Sequence, residues 1–404
     1  MDDFPTIELK PGARLAPPAF DRDAATSTLP ARADVIVVGA GVIGLSIAWR
    51  LACEGMSVAV LDRGEAGAGA TLSATGMLAA AAEHEPGGEA LLPFALESQA
   101  MWPEFCAELE GESGVDLDFR RSGILLVALS RDEVERLRAR HAFLAQSGLA
   151  CRWVGAQETR AMEPGLRPSA SGGLYCPHDH QVDPRALVAA LRTALSRRGV
   201  AIAENCDTVR IARAGAGLEG VMVGDRLCRS SRVVVATGAW AARDGLLPDD
   251  VRIPVRPVKG QSLALRTRDG ASPLSHIVWS EQVHLAPKRG GRLIVGATME
   301  EAGFDAAVTA GGVFALLEGV RRALPCVEEM EIEAIWTGFR PTSDDDAPIL
   351  GAADASGLAL AVGHHRNGIL LAPATAQALA NLIARGAMSA HASALTLDRF
   401  RRKG

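Results

Sequence analysis

Tyrosine is all but missing from this 404-residue chain: Tyr175 is the single example, and aromatic side chains make up 4% of the residues. Lysine is nearly as scarce, confined to Lys10, Lys259, Lys288 and Lys403 in an arginine-rich sequence. The net charge of −6 leaves no basic face of the kind that binds nucleic acid, which argues against that function class. Seven cysteines occur, at 53, 106, 151, 176, 206, 228 and 326. Their odd number and the lack of a C-x-x-C pair argue against a disulfide framework or a zinc knuckle, and fit a reducing cytoplasm. No apolar run with uncharged flanks reaches the roughly 20 residues of a membrane span, so a soluble protein is expected. Residues 1–33 carry Asp2, Asp3 and several prolines but no apolar signal-peptide core. They read as an extended arm that is free, wraps the domain, or touches a neighbouring subunit.

What the chain has in quantity is apolar material, 48% of its residues. With this length, two connected domains are expected. The most informative stretch is residues 34–63, DVIVVGAGVIGLSIAWRLACEGMSVAVLDR. It reads as strand, turn, helix and strand, with Gly39-x-Gly41-x-x-Gly44 in the turn. Gly39 makes the tight turn, Gly41 lets the backbone approach a pyrophosphate, and Gly44 lets the helix pack closely on the sheet. The helix N-terminus offers N–H groups and partial positive charge to the phosphates. Asp62, with Arg63 beside it, closes the second strand where an acid accepts hydrogen bonds from a ribose. The runs at 35–38 and 58–61 are continuously apolar, as buried parallel strands require. This is a dinucleotide site.

The pieces that would complete it are scattered. Residues 67–82, GAGATLSATGMLAAAA, read either as a small-residue cofactor wall, with Thr71, Ser73, Gly76, Met77 and Leu78 as its lining, or as a plain turn. Residues 233–240, VVVATGAW, form a strand ending in a small-residue turn. There Ala236, Thr237, Gly238 and Trp240 could lie against a second part of the cofactor. Val209, on the strand-like run 200–211, is assigned to the same side. Asp183 reads as an N-cap and Pro184 as the first helical residue of a helix carrying Leu187, Leu191 and Leu195 and stopping at Gly199. Short alternating runs at 123–128, 262–265, 283–286 and 292–295 suggest an antiparallel sheet, flanked by helices at 131–146 and 313–324. Glu133, Glu135, Arg136, Arg138 and Arg140 on the first of these helices read as a solvated face. The expected fold class is therefore α/β. A discontinuous Rossmann-type domain (34–95, 173–253 and 336–395) would join an α+β substrate domain (96–172 and 254–335), preceded by the extension 1–33.

Six segments in order carry a family resemblance: the fingerprint, Gly76-Met77-Leu78, residues 173–185 (GLYCPHDHQVDPR), the ATG strand, residues 338–341 (GFRP) and residues 364–370 (HHRNGIL). Together they resemble the FAD-dependent amine oxidases of the D-amino-acid oxidase superfamily, most nearly its glycine oxidase branch associated with thiamine synthesis, over roughly residues 34–390. The resemblance implies FAD as cofactor, with His364, Arg366, Asn367, Gly368, Ile369 and Leu370 added to its binding residues. Related sarcosine oxidases attach flavin through a cysteine after the C-terminal strand; residues 336–363 contain none here, so non-covalent FAD is expected. The implied reaction is oxidation of glycine, sarcosine or a D-amino acid with oxygen, giving an oxo-acid, ammonia or an amine, and hydrogen peroxide. The alternatives are transfer of electrons to another acceptor, as in dehydrogenases or cyanide-forming flavoproteins, and a non-enzymatic flavin-containing subunit. A cytoplasmic homo-oligomer is expected.

Such a site needs a carboxylate clamp, and a buried arginine's planar fork suits it. By resemblance Arg340 takes that role and Arg366 supports it from the substrate or flavin side. An ion pair of either with the acids at 344–346 is the simpler alternative. The family carries tyrosine where this chain has His284, and histidine where it has Gln282. His284 is thus either a hydrogen-bonding or titrating pocket residue, or a packed or solvent-facing one. Met299 is an apolar pocket residue or a core methionine. Lys259 is a cation near the flavin or, more simply, a strand-edge lysine.

Overall fold

The computed structural model describes residues 29–400 except 207, 208, 216, 243, 244 and 249. The fingerprint strands Val35–Val38 and Val58–Leu61 are neighbours inside a six-stranded sheet. Its order is Ile349–Ala352, Leu358–Val362, Val233–Val235, Val35–Val38, Val58–Leu61 and Ala201–Ala203. All neighbours are parallel except the edge strand Ile349–Ala352. Both faces are covered, which is why these strands are apolar throughout rather than alternating. Helices Val42–Cys53, Leu92–Ser113, Pro184–Arg197 and Ala372–Arg385 pack one face in a single core. A three-stranded meander, Val209–Ala214, Gly217–Val223 and Arg226–Arg229, covers the other. The described end of the N-terminal arm joins that meander. Leu29 is buried there, and Ala31 and Ala33 exchange backbone hydrogen bonds with Arg229 at 3.0 Å. Residues 1–28 lie outside the described residues.

The second sheet has eight strands in the order Glu331–Ser343, Val255–Arg266, Arg292–Gly296, His284–Pro287, Ile277–Trp279, Ile124–Ala128, Gly172–Cys176 and Arg152–Gly155. Its pairs are antiparallel except Ile277–Trp279 with Ile124–Ala128. Helix Ala310–Ala323 buries Leu316 and Val320 against it.

Relative to the segments expected from sequence, helix Leu92–Ser113 sits with the dinucleotide-side core. Strands Gly172–Cys176 and Glu331–Ser343 belong to the eight-stranded sheet. Sheet membership depends on distant partners, which local pattern does not report. The run 200–211 is two strands, not one: Ala201–Ala203 ends the parallel sheet and Val209 begins the meander, with Asn205 at φ 59° between them. The reading of Asp183 is met, since its carboxylate accepts the Arg185 N–H at 2.8 Å ahead of Pro184. The charged helix Arg131–Gln146 is only partly a solvated face. Glu133 is buried, accepts the Leu129 N–H at 2.6 Å and pairs with Arg322 at 3.2 Å, while Arg140 donates to the carbonyl of Ala82.

Candidate active site

A cavity of about 670 Å3 runs from the fingerprint turn to the junction with the eight-stranded sheet. Gly39 holds φ at +109°, and a Cβ there would stand 2.4 Å from the carbonyl oxygen of Ala236. A Cβ on Gly44 would stand 1.8 Å from the oxygen of Gly39, so helix and turn meet backbone to backbone. Gly41 differs: a Cβ would meet only the Thr71 hydroxyl at 3.4 Å, and the residue faces the cavity. Gly41 caps helix Val42–Cys53 without a side-chain cap, and the first turn holds no acid. An anion is thus met by backbone and helix dipole alone. Asp62 is partly buried, accepts the N–H groups of Ala40 at 2.6 Å and Gly64 at 2.9 Å, and lines the cavity. Burial pushes its carboxyl up from the ordinary range, against those hydrogen bonds. Arg63 lies 3.9 Å over the ring of Trp240, against which Phe304 stacks at 5.3 Å and Phe339 stands edge-on at 6.1 Å.

The other cofactor candidates mostly converge on the same space. Thr71 accepts the Val42 N–H at 2.9 Å, and Ser73 lies against Gly338, where a Cβ would stand 2.4 Å from it. Gly76, Met77 and Val209 line the cavity, as do Ala236, Thr237, Gly238 and Trp240. Thr237 is among these lining residues, and its hydroxyl is buried without a hydrogen-bond partner. At the far end stand His364, Arg366, Asn367, Gly368 and Ile369. Leu78 and Leu370 do not line it: both are buried in the helix-side core, and the Leu370 carbonyl accepts from Ser98 at 2.7 Å and Trp102 at 2.9 Å. Gly44 acts beneath the surface, as its packing requires. The open cradle at Gly41, the ribose-side acid and the orphaned threonine fit a dinucleotide. Among the described residues Cys206 is the one cysteine of the lining, and its backbone N–H donates to the Asp62 carbonyl at 2.8 Å.

The substrate end is built where two distant motifs are tied together. His365 donates its backbone N–H to the Pro341 carbonyl at 2.8 Å, and its Nδ1 lies 2.8 Å from the Thr342 hydroxyl. Arg340 and Arg366 thereby enter one cavity. A Cβ on Gly260 would stand 2.5 Å from the Arg340 guanidinium, so glycine there is what admits it. One Arg340 nitrogen donates to the carbonyl of Thr298 at 3.1 Å and more weakly to that of Lys259 at 3.4 Å. Among the described residues Arg340 has no carboxylate partner; Asp345 is taken by Arg399, and Asp346 lies nearest His365. Burial, then the neighbouring Arg366, pull Arg340 down from the ordinary arginine value, and Glu83 opposes them.

Arg366 is different. Its Nε contacts the Glu83 carboxylate, and its other end meets Glu85 at 3.3 Å. Glu83 was not foreseen from sequence. Its carboxylate is deeply buried on the cavity wall, and burial pushes it up from the glutamate range while Arg366, Arg140 and Arg340 favour its ionised form. The loop that delivers it is pinned by Asp179, which accepts the N–H groups of Ala81 at 3.1 Å and Ala82 at 2.7 Å and a bond from Gln99 at 2.8 Å. Burial carries Asp179 up to about 6.

His284 keeps partial access to the cavity, edge-on to Trp279 at 5.7 Å. Burial, then the charges of Arg340 and Arg366, push it down to about 3. It is therefore neutral and does not titrate near neutrality, in contrast to the titrating role open to it from sequence. Met299 stands at the rim, 60% exposed. Lys259 is buried beside the cavity, paired with Asp305 at 3.1 Å and Glu300 at 3.5 Å, a structural lysine. No helix among the described residues is long and apolar enough to cross a membrane.

Comparison with known proteins agrees with this architecture. Residues 34–382 match the model of the DAO family, FAD dependent oxidoreductase. The chain is 36% identical over 357 residues to a glycine oxidase of Geobacillus kaustophilus, covering 88% of this chain and 93% of that one. It is 31% identical to the hydrogen cyanide synthase subunit HcnC of Pseudomonas aeruginosa, covering 90% and 94%. The crystal structure of glycine oxidase from Geobacillus kaustophilus superposes with a TM-score of 0.82, covering 89% of this chain and 96% of that one. The α/β fold, the dinucleotide cradle and these likenesses agree: the chain belongs to the DAO family of FAD-dependent oxidoreductases.

Proposed function

We propose that this enzyme oxidises glycine and related small amines, sarcosine and D-amino acids, with oxygen as acceptor. The observation that carries the reading is Arg340: a partly buried guanidinium on the cavity wall, held by carbonyls and, among the described residues, left without a carboxylate of its own. A substrate carboxylate supplies that partner, and the planar fork fixes its orientation. The turn at Gly39, Gly41, Asp62 and Thr71 would hold the FAD phosphates and ribose. The small-residue wall at 73–77 and the 364–369 turn would enclose its flavin end. Held there, FAD would supply the two-electron acceptor for oxidation at the substrate α-carbon. The protein's part is to bind the carboxylate and exclude water. Arg340 answers the substrate carboxylate, Arg366 is engaged by Glu83, and His284 is neutral, so no titrating imidazolium stands beside the amine. A cytoplasmic homo-oligomer remains the expected form.

A steady-state peroxide assay with glycine, sarcosine and D-alanine tests the proposal, with peroxide expected from at least one. Similarity to the cyanide synthase subunit supports one second reading, in which electrons leave to another acceptor. Flavin reduction by glycine without peroxide on admitting air would select it.

A further inference from the structure

The cavity presents two arginines at its substrate end, and they are not equivalent. Arg340 has only carbonyl partners, whereas Arg366 is engaged by Glu83 inside the cavity and by Glu85 at its edge. Glu85 is half exposed, so its pull on Arg366 is screened by water; Glu83 is not, so its pull is strong. Glu83 is also not free to swing away. Its loop is fastened at the two preceding residues by Asp179, and Arg140 donates to the carbonyl of Ala82. The Glu83 carbonyl itself receives a bond from Arg366 at 3.3 Å. Backbone and side chain of one residue therefore hold the second guanidinium.

We infer that Glu83 is the specificity-determining residue that limits this site to substrates with a single carboxylate, by occupying Arg366. The inference rests on the reading of Arg340 as the carboxylate clamp. With Arg366 neutralised, a second carboxylate beside the one held by Arg340 faces the Glu83 carboxylate at the substrate end rather than an unengaged guanidinium. Juxtaposed like charges in a desolvated site are strongly disfavoured. An aminodicarboxylate such as iminodiacetate is then rejected by charge rather than by size. Removing the Glu83 charge leaves Arg366, which lines the same cavity as Arg340, with only the half-exposed Glu85 as carboxylate partner among the described residues, and turns rejection into attraction.

The test uses FAD-loaded enzyme and calorimetric binding of glycolate and malonate, unreactive probes with one and two carboxylates. Wild type should bind glycolate in clear preference. Glu83→Gln keeps the shape and removes the charge, and the malonate-to-glycolate affinity ratio should rise by about tenfold or more. The double variant Glu83→Gln/Arg366→Gln should return the ratio towards wild type, which ties the gain to Arg366. Glu85→Gln should move it less than Glu83→Gln. Turnover should follow, with kcat/KM for iminodiacetate rising relative to glycine in Glu83→Gln. Flavin content and Tm establish that each variant is folded, and Glu83→Asp, which keeps the charge, should keep the wild-type ratio. An unchanged ratio in folded Glu83→Gln, or a gain that survives in the double variant, overturns the inference. Failure of the underlying reading looks different: glycolate would bind Arg340→Lys as tightly as wild type.

Discussion

His284→Tyr would put back the phenol that the family carries, and the structure says what should and should not change. With His284 pushed down to about 3, on the order of one molecule in ten thousand carries an imidazolium at pH 7, and about one in a thousand at pH 6. The pH dependence of kcat/KM between 6 and 9 should therefore follow the substrate amine, and parent and variant should give the same profile shape. The substrate ranking should move. His284 faces the cavity between Trp279 and Gly296, where its Nε2 would lie 2.6 Å from an added Cβ. A tyrosine reaches further than an imidazole and takes room there. The methyl group that distinguishes sarcosine or D-alanine from glycine then loses space, worth about 1–3 kcal/mol. At the lower end, the preference for glycine over sarcosine should rise by about tenfold. The assay is kcat/KM against pH for three amines with both proteins. An acid limb near pH 6–7 present in the parent and lost in the variant would refute the neutral-histidine argument. An unchanged ranking would refute the placement of His284 in the pocket.

Other consequences follow from the same geometry. Gly41→Val should fold yet fail to retain FAD, because the side chain enters the space beside Thr71; acid or heat should release FAD from the parent, and flavin remaining on denatured polypeptide would contradict non-covalent binding. Asp179→Asn should cost about 1–3 kcal/mol of stability, since its amide cannot replace three accepted hydrogen bonds, and should lower kcat/KM by loosening Glu83; chemical denaturation and kinetics read both. His364, buried and 3.1 Å from the Thr375 hydroxyl, is pushed down to about 3. A histidine with a depressed folded value gives stability that is full above the unfolded value near 6.5 and is lost as pH falls towards 3. Its share of the loss between pH 7 and 5 is about 2 kcal/mol, so His364→Gln should flatten the pH dependence of unfolding by about that much.

The dinucleotide half of this molecule was legible because its signals are local. The three glycines, the apolar strands beside them and Asp62 lie within thirty residues, and each has one physical use. Asp183 and Pro184 announced their helix for the same reason. The small-residue segment at 67–82 left two readings open, and the structure brings Thr71, Ser73, Gly76 and Met77 to the cavity while keeping Leu78 in the core. Two apolar neighbours of lining residues, Leu78 and Leu370, look from sequence like lining themselves. What sequence could not show were interactions closed over long distances. Glu83 and Arg366 are 283 residues apart, and nothing in AAAAEHE names the partner. An acid ending an alanine run was the only available signal. The neutrality of His284 arises from burial and, second, from two arginines that arrive from other strands and turns. Asp179 sat inside a recognised motif, but its work on Ala81 and Ala82 became visible only in three dimensions.

The central claim is that Arg340 holds an amino-acid carboxylate so that FAD can oxidise the carbon beside it. Anaerobic mixing of the yellow enzyme with glycine, sarcosine and D-alanine, followed by admission of air, tests it most directly. Wild type should lose its oxidised-flavin absorbance with at least one of these amines and regain it in air with release of peroxide. Arg340→Lys, with the same flavin content, should be reduced more slowly by about 3 kcal/mol, on the order of a hundredfold at subsaturating substrate. Flavin that none of the three amines reduces, or that the lysine variant reduces as fast as wild type, would contradict the account.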